Sequence, residues 1–447
     1  MPTKSSKPTQ LTLADQDLIA TLQSLIQKPS VTPDDAGCIP YLIERLTRLG
    51  FECQSFTLNG VTNLIAVKDA SADELSQRTT QSGKVDINHE LTSHKNSKPR
   101  LAFIGHTDVV PPGNDADWCY PPFAAHIDGQ SIYGRGAVDM KSGIACMLNA
   151  LEQLSPSAYS NGSMMLLITS DEEGVAEYGT RSIIEYLKQQ DLLPDACLVG
   201  EPTARKSCGD TIKIGRRGSI SGSIQLSGIA GHVAYPQQIE NPIHQMGEVI
   251  ARLNAIAWDE GSLDFPGTSL QITRIESGEF TDNISPAKCK ISFNIRYSHL
   301  WCEQSLDALI HQQLMDISKN FEITWERPCT PYFSAPDQCR SQLLPVLEQA
   351  IIQSTGRYPV LSTSGGTSDG RFAAQICNDV FEFGIPNKTI HQVNERARLD
   401  DIFALRDIYL KTLELFFNVE TVFSVNNVRN EQEPILSRNT LNEAPAS

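Results

Sequence analysis

The sequence contains no apolar run close to the ~20 residues that a membrane-spanning helix needs. Its first ten residues, MPTKSSKPTQ, lack the apolar core of a secretory signal. It has no CxxC pair, and its 11 cysteines, from Cys38 to Cys377, are an odd number. Because secreted disulfide frameworks are denser and usually even, we expect reduced thiols in a cytoplasmic protein with no membrane partner.

Positive charge is also scarce. The 37 basic residues face 53 acidic ones, which gives a formal net charge of -16. Nucleic-acid partners are excluded on this ground, since binding phosphates requires a basic surface. The chain is ordinary in other respects, with 40% hydrophobic and 20% charged residues. Its 447 residues exceed the ~250–300 that one core usually serves, so we predict two domains.

Helical and extended patterns alternate through the first half of the chain. A helix is predicted at 12–27, where Thr12 and Asp15 can form a capping box. Further helices are predicted at 141–154 and 178–190, and strands at 63–68, 101–105, 163–169 and 195–199. This alternation predicts an α/β fold with a mainly parallel sheet.

The pattern changes near Gly215. KIGRRGSISGSIQLSG alternates like a strand and precedes helices at 242–257 and 303–318 and strands at 269–276 and 287–296. We therefore predict that 12–215 and 336–420 form one α/β domain, interrupted by a smaller α+β domain at 216–335. The polar stretch 70–99 is expected to be a mobile insertion, and 421–447 a disordered tail.

Metal-ligand residues lie in four segments, each just after an apolar strand or beside a glycine-rich turn. His106 and Asp108 lie in GHTD, Asp139 in GAVDM, Glu172 and Glu173 in SDEEG, and Glu201 in VGEP. The carboxyl ends of parallel strands meet at one edge of a sheet, where ligands bind. His391, in NKTIHQVNE, adds a second imidazole. Nitrogen and carboxylate ligands without thiolate are typical of a catalytic zinc pair.

Each motif alone has other interpretations. HxD is often a surface turn, an aspartate before a helix is often an N-cap, and paired glutamates are often a solvated loop. A phosphate loop before Lys141 lacks the required glycine, since Met140 occupies that position. Residues 366–370 (GTSDG) fit a serine-hydrolase elbow, but Asp379 and His391 lie only 11 and 23 residues beyond Ser368.

Eight segments together resemble the M20 family of zinc aminoacylases and peptidases over about residues 12–420, apart from the insertion at 70–99. They are GHTDVVPPGN, YGRGAVDMKSG, SDEEG, VGEPT, GRRGS, GHVAYP, SGGTSDGRF and NKTIHQVNE. The resemblance implies a homodimer with two Zn²⁺ per subunit, which Co²⁺ could replace. It places His106 and Glu201 on one zinc, Glu173 and His391 on the other, and Asp139 between them.

The same resemblance assigns roles to the remaining residues. Glu172 is the expected general base, and Asp108 the carboxylate behind His106. Contacts with a small anionic substrate are expected from a set of four residues: Arg216, Ser219, Thr367 and Asn387. His232 and Asn283, in the inserted domain, are expected to reach the active site of the partner subunit, with His232 as an oxyanion donor.

GRRGS and SGGTSDGRF favour one activity within the family. They imply hydrolysis of N-succinyl-LL-2,6-diaminopimelate by a hydroxide bridging two zinc ions, a step of diaminopimelate and lysine biosynthesis. Acetylornithine deacetylation or aminopeptidase activity is the alternative within the family. A zinc-binding protein without activity is a third hypothesis, which the presence of Glu172 disfavours because that residue binds no metal in this scheme.

Overall fold

The computed structural model describes residues 11–69, 98–278, 282–317 and 321–417. The insertion expected at 70–99, except its last two residues, lies outside these ranges, as does the tail expected at 421–447. Among the described residues, no helix is long and apolar enough to cross a membrane. All 11 cysteines are free, and six of them are buried, which agrees with the expected reduced thiols.

Nine α-helices occur in the described residues. They are α1 Leu13–Ile26, α2 Cys38–Arg48, α3 Lys141–Gln153, α4 Thr180–Gln189, α5 Pro242–Ala255, α6 Glu303–Leu314, α7 Leu343–Thr355, α8 Gly370–Ala373 and α9 Leu399–Phe417. The predicted helices correspond to α1, α3, α4, α5 and α6. Thr12 caps α1 and forms the predicted capping box with Asp15.

The same ranges contain nineteen β-strands. They are β1 Glu52–Leu58, β2 Val61–Lys68, β3 Arg100–His106, β4 His126–Asp128, β5 Ser131–Tyr133, β6 Ser163–Thr169, β7 Ala196–Val199, β8 Thr211–Lys213, β9 Gly215–Arg216, β10 Gly218–Ser227, β11 Gly231–His232, β12 Ser269–Glu276, β13 Ile284–Ser285, β14 Lys288–Tyr297, β15 Phe321–Cys329, β16 Tyr332–Phe333, β17 Val360–Ser362, β18 Val380–Glu382 and β19 Arg396–Arg398.

An eight-stranded sheet has the order β1-β2-β6-β3-β7-β18-β8-β17. Its four central strands, β6, β3, β7 and β18, are mutually parallel. The strands on either side of this centre, β2 and β8, run antiparallel to it. Every residue of β3 and β6 is buried, because hydrophobic clusters cover both faces of the sheet. The predicted α/β class is confirmed, with antiparallel strands at the flanks.

A second sheet, in the order β12-β14-β10-β15, lies within residues 218–329. Helices α5 and α6 pack with it around a separate hydrophobic cluster that includes Ile220, Phe293 and Leu306. The chain enters this unit through β9 and leaves it through β16, and these two strands pair with each other. The connection between the two sheets is therefore a short antiparallel ribbon.

Candidate metal centre

The carboxyl ends of three neighbouring central strands bring the first candidate ligands together. His106 ends β3, Glu172 and Glu173 follow β6, and Glu201 follows β7. In the sheet, β3 lies between β6 and β7, so these segments emerge side by side. Their convergence follows from the parallel pairing of the centre.

Asp139 lies next to one histidine and one glutamate. His106 Nε2 is 3.1 Å from Asp139 Oδ1 and 3.4 Å from Glu201 Oε1. All three residues are buried. Their ligand atoms lie within 4.8 Å of one another, close enough to hold one metal ion.

A second group of three uses the other oxygen of Asp139. His391 Nε2 is 2.9 Å from Glu173 Oε1 and 3.2 Å from Asp139 Oδ2. These ligand atoms also lie within 4.8 Å of one another. His391 itself has a φ of 59°, a backbone conformation that non-glycine residues seldom adopt. Asp139 thus belongs to both groups and presents one carboxylate oxygen to each.

Asp108 fixes the orientation of two parts of this cluster. Its backbone carbonyl lies 2.9 Å from His106 Nδ1, which leaves Nε2 facing the candidate metal position. Its carboxylate accepts the backbone N–H of Glu172 at 3.2 Å and of Glu173 at 3.0 Å. The carboxylate lies farther from the imidazole, at 3.5 Å. Asp108 therefore holds His106 and the glutamate turn in fixed relation.

Glu395 holds the turn that carries Asp139. Its Oε1 accepts the backbone N–H of Val138 at 2.7 Å and of Asp139 at 3.2 Å. Its Oε2 accepts Gly136 N at 3.2 Å and Arg135 Nη1 at 2.6 Å. Such contacts behind the ligands orient a metal site.

The cluster concentrates carboxylates in a desolvated space. Burial, then the charge of Asp139, raises the pKa of Glu201 to about 7. Burial also raises the pKa of Glu173, and that of Glu172 rises well above its usual value. Hydrogen bonds to Asp139 and Glu173 raise the pKa of His391 to about 10. In the absence of a cation, protonation of these groups therefore reduces the repulsion between the neighbouring carboxylates.

The donor set fits a pair of divalent cations. Among the described residues, buried Glu201 Oε1 has no hydrogen-bond partner, and an unsatisfied buried carboxylate oxygen is costly. Two imidazoles with carboxylates and no thiolate are typical ligands of a catalytic metal centre. A cation bound by His106, Asp139 and Glu201 would satisfy this oxygen. A second cation bound by Asp139, Glu173 and His391 would further reduce the repulsion between the carboxylates.

Glu172 belongs to neither of the two groups that share Asp139, but it forms a third set of possible ligands with His106 and Glu173. Its carboxylate is within 4.8 Å of ligand atoms of His106 and Glu173. Burial and then the negative charge of Glu201 favour its protonated form. A carboxyl group with a raised pKa next to a metal pair suits proton transfer.

The expected substrate residue Arg216 is engaged within the protein. Its Nε donates to Glu382 Oε2 at 2.8 Å, its Nη2 bonds the same oxygen, and its Nη1 donates to the Ser364 carbonyl at 3.2 Å. Glu382 is fully buried and also accepts hydrogen bonds from Tyr332 and Ser368. The Nε–Nη2 edge of the Arg216 guanidinium is therefore directed at Glu382.

The remaining expected substrate residues lie on separate elements. Ser219 is buried on β10, where its hydroxyl accepts a hydrogen bond from Asn294 Nδ2 at 3.2 Å. Thr367 is half-buried in the loop before α8, and Asn387 is exposed. The backbone N–H of Asn387 donates to Ala204 O at 3.1 Å, near the Glu201 segment.

His232 and Asn283 lie together on a small exposed ribbon. Strand β11 pairs with β13, and Val233 N donates to Asn283 O at 3.0 Å. His232 Nδ1 accepts Ala234 N at 3.1 Å. Within the described part of this chain, no hydrogen bond or ion pair joins either residue to the metal-ligand cluster.

The structure does not bring Ser368, Asp379 and His391 together as a serine-hydrolase triad would require. Ser368 Oγ donates to Glu382, and Asp379 accepts the backbone N–H groups of Arg340 and Ser341. His391 is paired with carboxylates of the metal cluster. The phosphate-loop alternative fails as well, because Lys141 Nζ is buried and donates to the Leu25 and Lys28 carbonyls.

Two residues of this site, Glu382 and Glu395, were not predicted from the sequence. Glu382 ends an apolar strand, and a carboxylate at a strand end is the sequence feature that could have identified it. Glu395 is part of NKTIHQVNE but carries no metal in the ligand scheme. Glu382 contacts Arg216, 166 positions away, and Glu395 contacts Asp139, 256 positions away. No local sequence pattern indicates contacts over such separations.

Comparisons with known proteins identify the family of the chain. Residues 102–415 match peptidase family M20/M25/M40. Succinyl-diaminopimelate desuccinylase 2 of Shewanella loihica is 46% identical over 398 residues, which cover 88% of this chain and 98% of that protein. Succinyl-diaminopimelate desuccinylase 1 of Alteromonas mediterranea is 45% identical over 391 residues, 87% of this chain and 94% of that protein.

Solved structures share the fold at low identity. An M20 family metallo-carboxypeptidase of Sulfolobus solfataricus has a TM-score of 0.69 at 18% identity, covering 90% of this chain and 99% of that chain. A dinuclear metal-binding peptidase of the family from Bacillus subtilis has a TM-score of 0.62 at 14% identity, with coverages of 91% and 99%. The chain belongs to peptidase family M20/M25/M40.

Proposed function

We propose that the protein hydrolyses N-succinyl-LL-2,6-diaminopimelate to succinate and LL-2,6-diaminopimelate. The observation that carries this proposal is 46% identity to a succinyl-diaminopimelate desuccinylase across 98% of that relative. The geometry supports the chemistry, because two groups of ligands share Asp139 and Glu172 lies beside them. The reaction belongs to diaminopimelate and lysine biosynthesis, and we place the protein in the cytoplasm.

Two Zn²⁺ ions are the proposed cofactors, with Co²⁺ able to replace them. His106 and Glu201 would hold one ion, Glu173 and His391 the other, and Asp139 both. The metal pair would supply a water of lowered pKa and polarise the scissile carbonyl. The remaining chemistry falls to side chains of the protein.

Glu172 is the proposed general base and acid. It takes the proton of the attacking water and delivers it to the leaving nitrogen as the amide C–N bond breaks. Its desolvated position favours the protonated form that the second step needs. Asp108 supports this role by holding the backbone of Glu172 and its neighbour.

Substrate carboxylates are the proposed partners of Arg216, Ser219, Thr367 and Asn387. Glu382 occupies Nε and Nη2 of Arg216, and the Ser364 carbonyl accepts one N–H of Nη1. The other N–H of Nη1, beside Gly365, is therefore the part of the guanidinium that we assign to the substrate. The positive φ of Gly365, 113°, and the closeness of Nη1 both require glycine at that position.

A homodimer is proposed to complete each site with His232 and Asn283 of the other subunit. The ribbon that carries them exposes an unusual amount of apolar surface. Ile229, Val233, Tyr235 and Ile284 are 53%, 49%, 58% and 51% exposed. Contiguous exposed apolar residues are typical of an interface.

The test is an assay of amine release from N-succinyl-LL-2,6-diaminopimelate beside N-acetylornithine. The purified protein is assayed as prepared, after chelator treatment, and after addition of zinc. We expect zinc-dependent cleavage of the succinyl substrate alone. Cleavage of only the acetyl substrate would move the protein to a sister activity of the family, and cleavage of neither would contradict the proposal.

A further inference from the structure

A basic cavity lies outside the metal-ligand cluster and shares no residue with it. Its volume is about 170 Å³. Its charged lining consists of four cations and one acid, namely Lys206, Lys388, Arg396, Arg398 and Asp401. On a chain with a formal net charge of -16, such a concentration of positive charge is out of proportion to the composition.

The two arginines reach the cavity from one strand. Arg396 and Arg398 are both exposed, whereas Ala397 between them is buried against the core. Alternate residues of a strand point to the same side, and both arginines line the cavity. Arg396 Nη1 also donates to the Asn394 carbonyl at 3.3 Å, and its guanidinium lies 5.7 Å from the centre of the Tyr133 ring. A guanidinium group is well suited to the oxygens of a carboxylate or phosphate.

A backbone bridge fixes the two lysines. Ala204 and Pro386 form a parallel β-bridge, and each lysine lies two residues beyond its member of that pair. Ala204 N donates to Ile385 O at 3.3 Å, and Asn387 N donates to Ala204 O at 3.1 Å. The two lysines therefore lie on neighbouring segments that backbone hydrogen bonds hold together.

Among the described residues, ion pairs compensate one of the four cations of the cavity, Arg398. Arg398 has acidic neighbours, with Nη2 3.0 Å from Asp400 Oδ2 and Nε 3.9 Å from Asp401 Oδ2. Asp401 also accepts the backbone N–H of Cys208 at 2.9 Å. Among the described residues, no ion pair involves Lys206 or Lys388. Both lysines are exposed, so their ammonium groups are accessible to an anion from solvent.

We propose that this cavity binds a compact anion with at least two negative charges, either a phosphate group or a short dicarboxylate. Lys206 and Lys388 would hold one side of the anion, and Arg396 and Arg398 the other. Lys388 and Arg396 flank His391 in sequence, and Thr389 Oγ1 donates to Arg396 O at 3.0 Å to close that loop. A bound anion thus steadies the loop that carries His391. The proposal does not rest on the identity of the substrate.

The test is isothermal titration calorimetry of the full-length, metal-loaded protein at low ionic strength, with inorganic phosphate and separately with succinate. The variant Lys206→Gln/Lys388→Gln is compared with Lys188→Gln/Lys288→Gln, which removes two exposed charges elsewhere. Anion binding at the metals contributes to every protein alike, so the difference isolates the cavity. Hydrogen–deuterium exchange of residues 386–396 is followed with and without each anion.

We expect the first variant to bind at least one anion about 10-fold or more weakly, because two charge-assisted contacts are lost. The second variant should match the wild type, and only proteins with an intact cavity should gain exchange protection in the loop. A preference for phosphate or for succinate would assign the ligand class. Equal affinities of the wild type and the cavity variant for both anions would overturn the proposal.

Discussion

The Glu395 carboxylate accepts the backbone N–H of Asp139 at 3.2 Å, although 256 residues separate the two in sequence. The same side chain bonds Val138 N, Gly136 N and Arg135 Nη1. It follows His391 by four residues and is itself buried. One carboxylate thus ties together the two segments that supply Asp139 and His391 to the same candidate metal position.

Glu395→Gln should weaken metal binding. The amide keeps one acceptor oxygen but turns an N–H group toward backbone donors and loses the charged bond to Arg135. We expect metal affinity to fall about 10- to 100-fold. Zinc competition with a chelator measures this, with circular dichroism as a check of folding and Glu414→Gln, at the exposed Lys411 pair, as the control. Unchanged affinity would remove Glu395 from the support of the site.

Glu172→Gln should abolish turnover while two metal ions remain bound. The amide cannot accept the proton of the attacking water, so we expect kcat to fall by about 100- to 10,000-fold. Steady-state kinetics and elemental analysis measure the two effects. Glu177→Gln, in the exposed part of the same loop, is the matched control. Loss of both metals from the Glu172 variant would contradict its assignment as a base.

Glu382→Gln should destabilise the protein, because Arg216 would become a buried charge without a counter-ion. Removing one partner of such a pair typically costs about 3–5 kcal/mol of the free energy of unfolding. Denaturant unfolding measures it, and Arg216→Leu/Glu382→Leu should recover part of the loss. A cost equal to that of the exposed Glu414→Gln would show that the pair contributes nothing.

The same pair predicts a dependence of stability on pH. Burial alone would raise the pKa of Glu382, but Arg216 lowers it below the usual glutamate value. The folded state then binds the proton less readily than the unfolded state does. The contribution of Glu382 should therefore be full above the usual glutamate pKa of about 4.3 and decline as pH falls through the lower folded value. In Glu382→Gln this part of the acid destabilisation should disappear, which unfolding at a series of pH values would show.

Ser368→Ala should leave turnover within about 10-fold of the wild type, since the Ser368 hydroxyl donates to Glu382 and not to a histidine. The loss of one hydrogen bond to a charged group should cost about 1.5–3 kcal/mol of stability. A serine-directed phosphonate should not inactivate the wild type. Phosphonate labelling of Ser368 with loss of activity would revive the serine-hydrolase mechanism.

His232→Ala should lower turnover more than it weakens substrate binding, because the proposed oxyanion donor acts on the transition state. If His232 serves the other subunit, Glu172→Gln and His232→Ala proteins should complement each other after subunit exchange. An equal mixture should recover about one quarter of wild-type activity, since half of the dimers contain one complete site. No recovery in demonstrably mixed dimers would place His232 outside the site of the partner.

Local sequence determined the elements and the chemistry-bearing segments. Apolar runs that end at His106, at the Glu172–Glu173 turn and near Glu201 predicted parallel strands, and these strands form the centre of the sheet. The capping box at Thr12 was predicted from residues three positions apart. Such signals depend on periodicities of two or 3.6 residues, which a single sequence displays.

Only the tertiary structure decided which distant groups meet. Nothing local indicates that Glu382 takes the guanidinium of Arg216, or that β2 and β8 run antiparallel to the centre. Glu395 and the basic cavity at Lys206 and Lys388 likewise depend on segments that come together after folding. Long-range pairing is selected by the burial and hydrogen bonding of the whole chain. The sequence by itself therefore determined the candidate ligands and the predicted elements, and the fold decided how they are oriented.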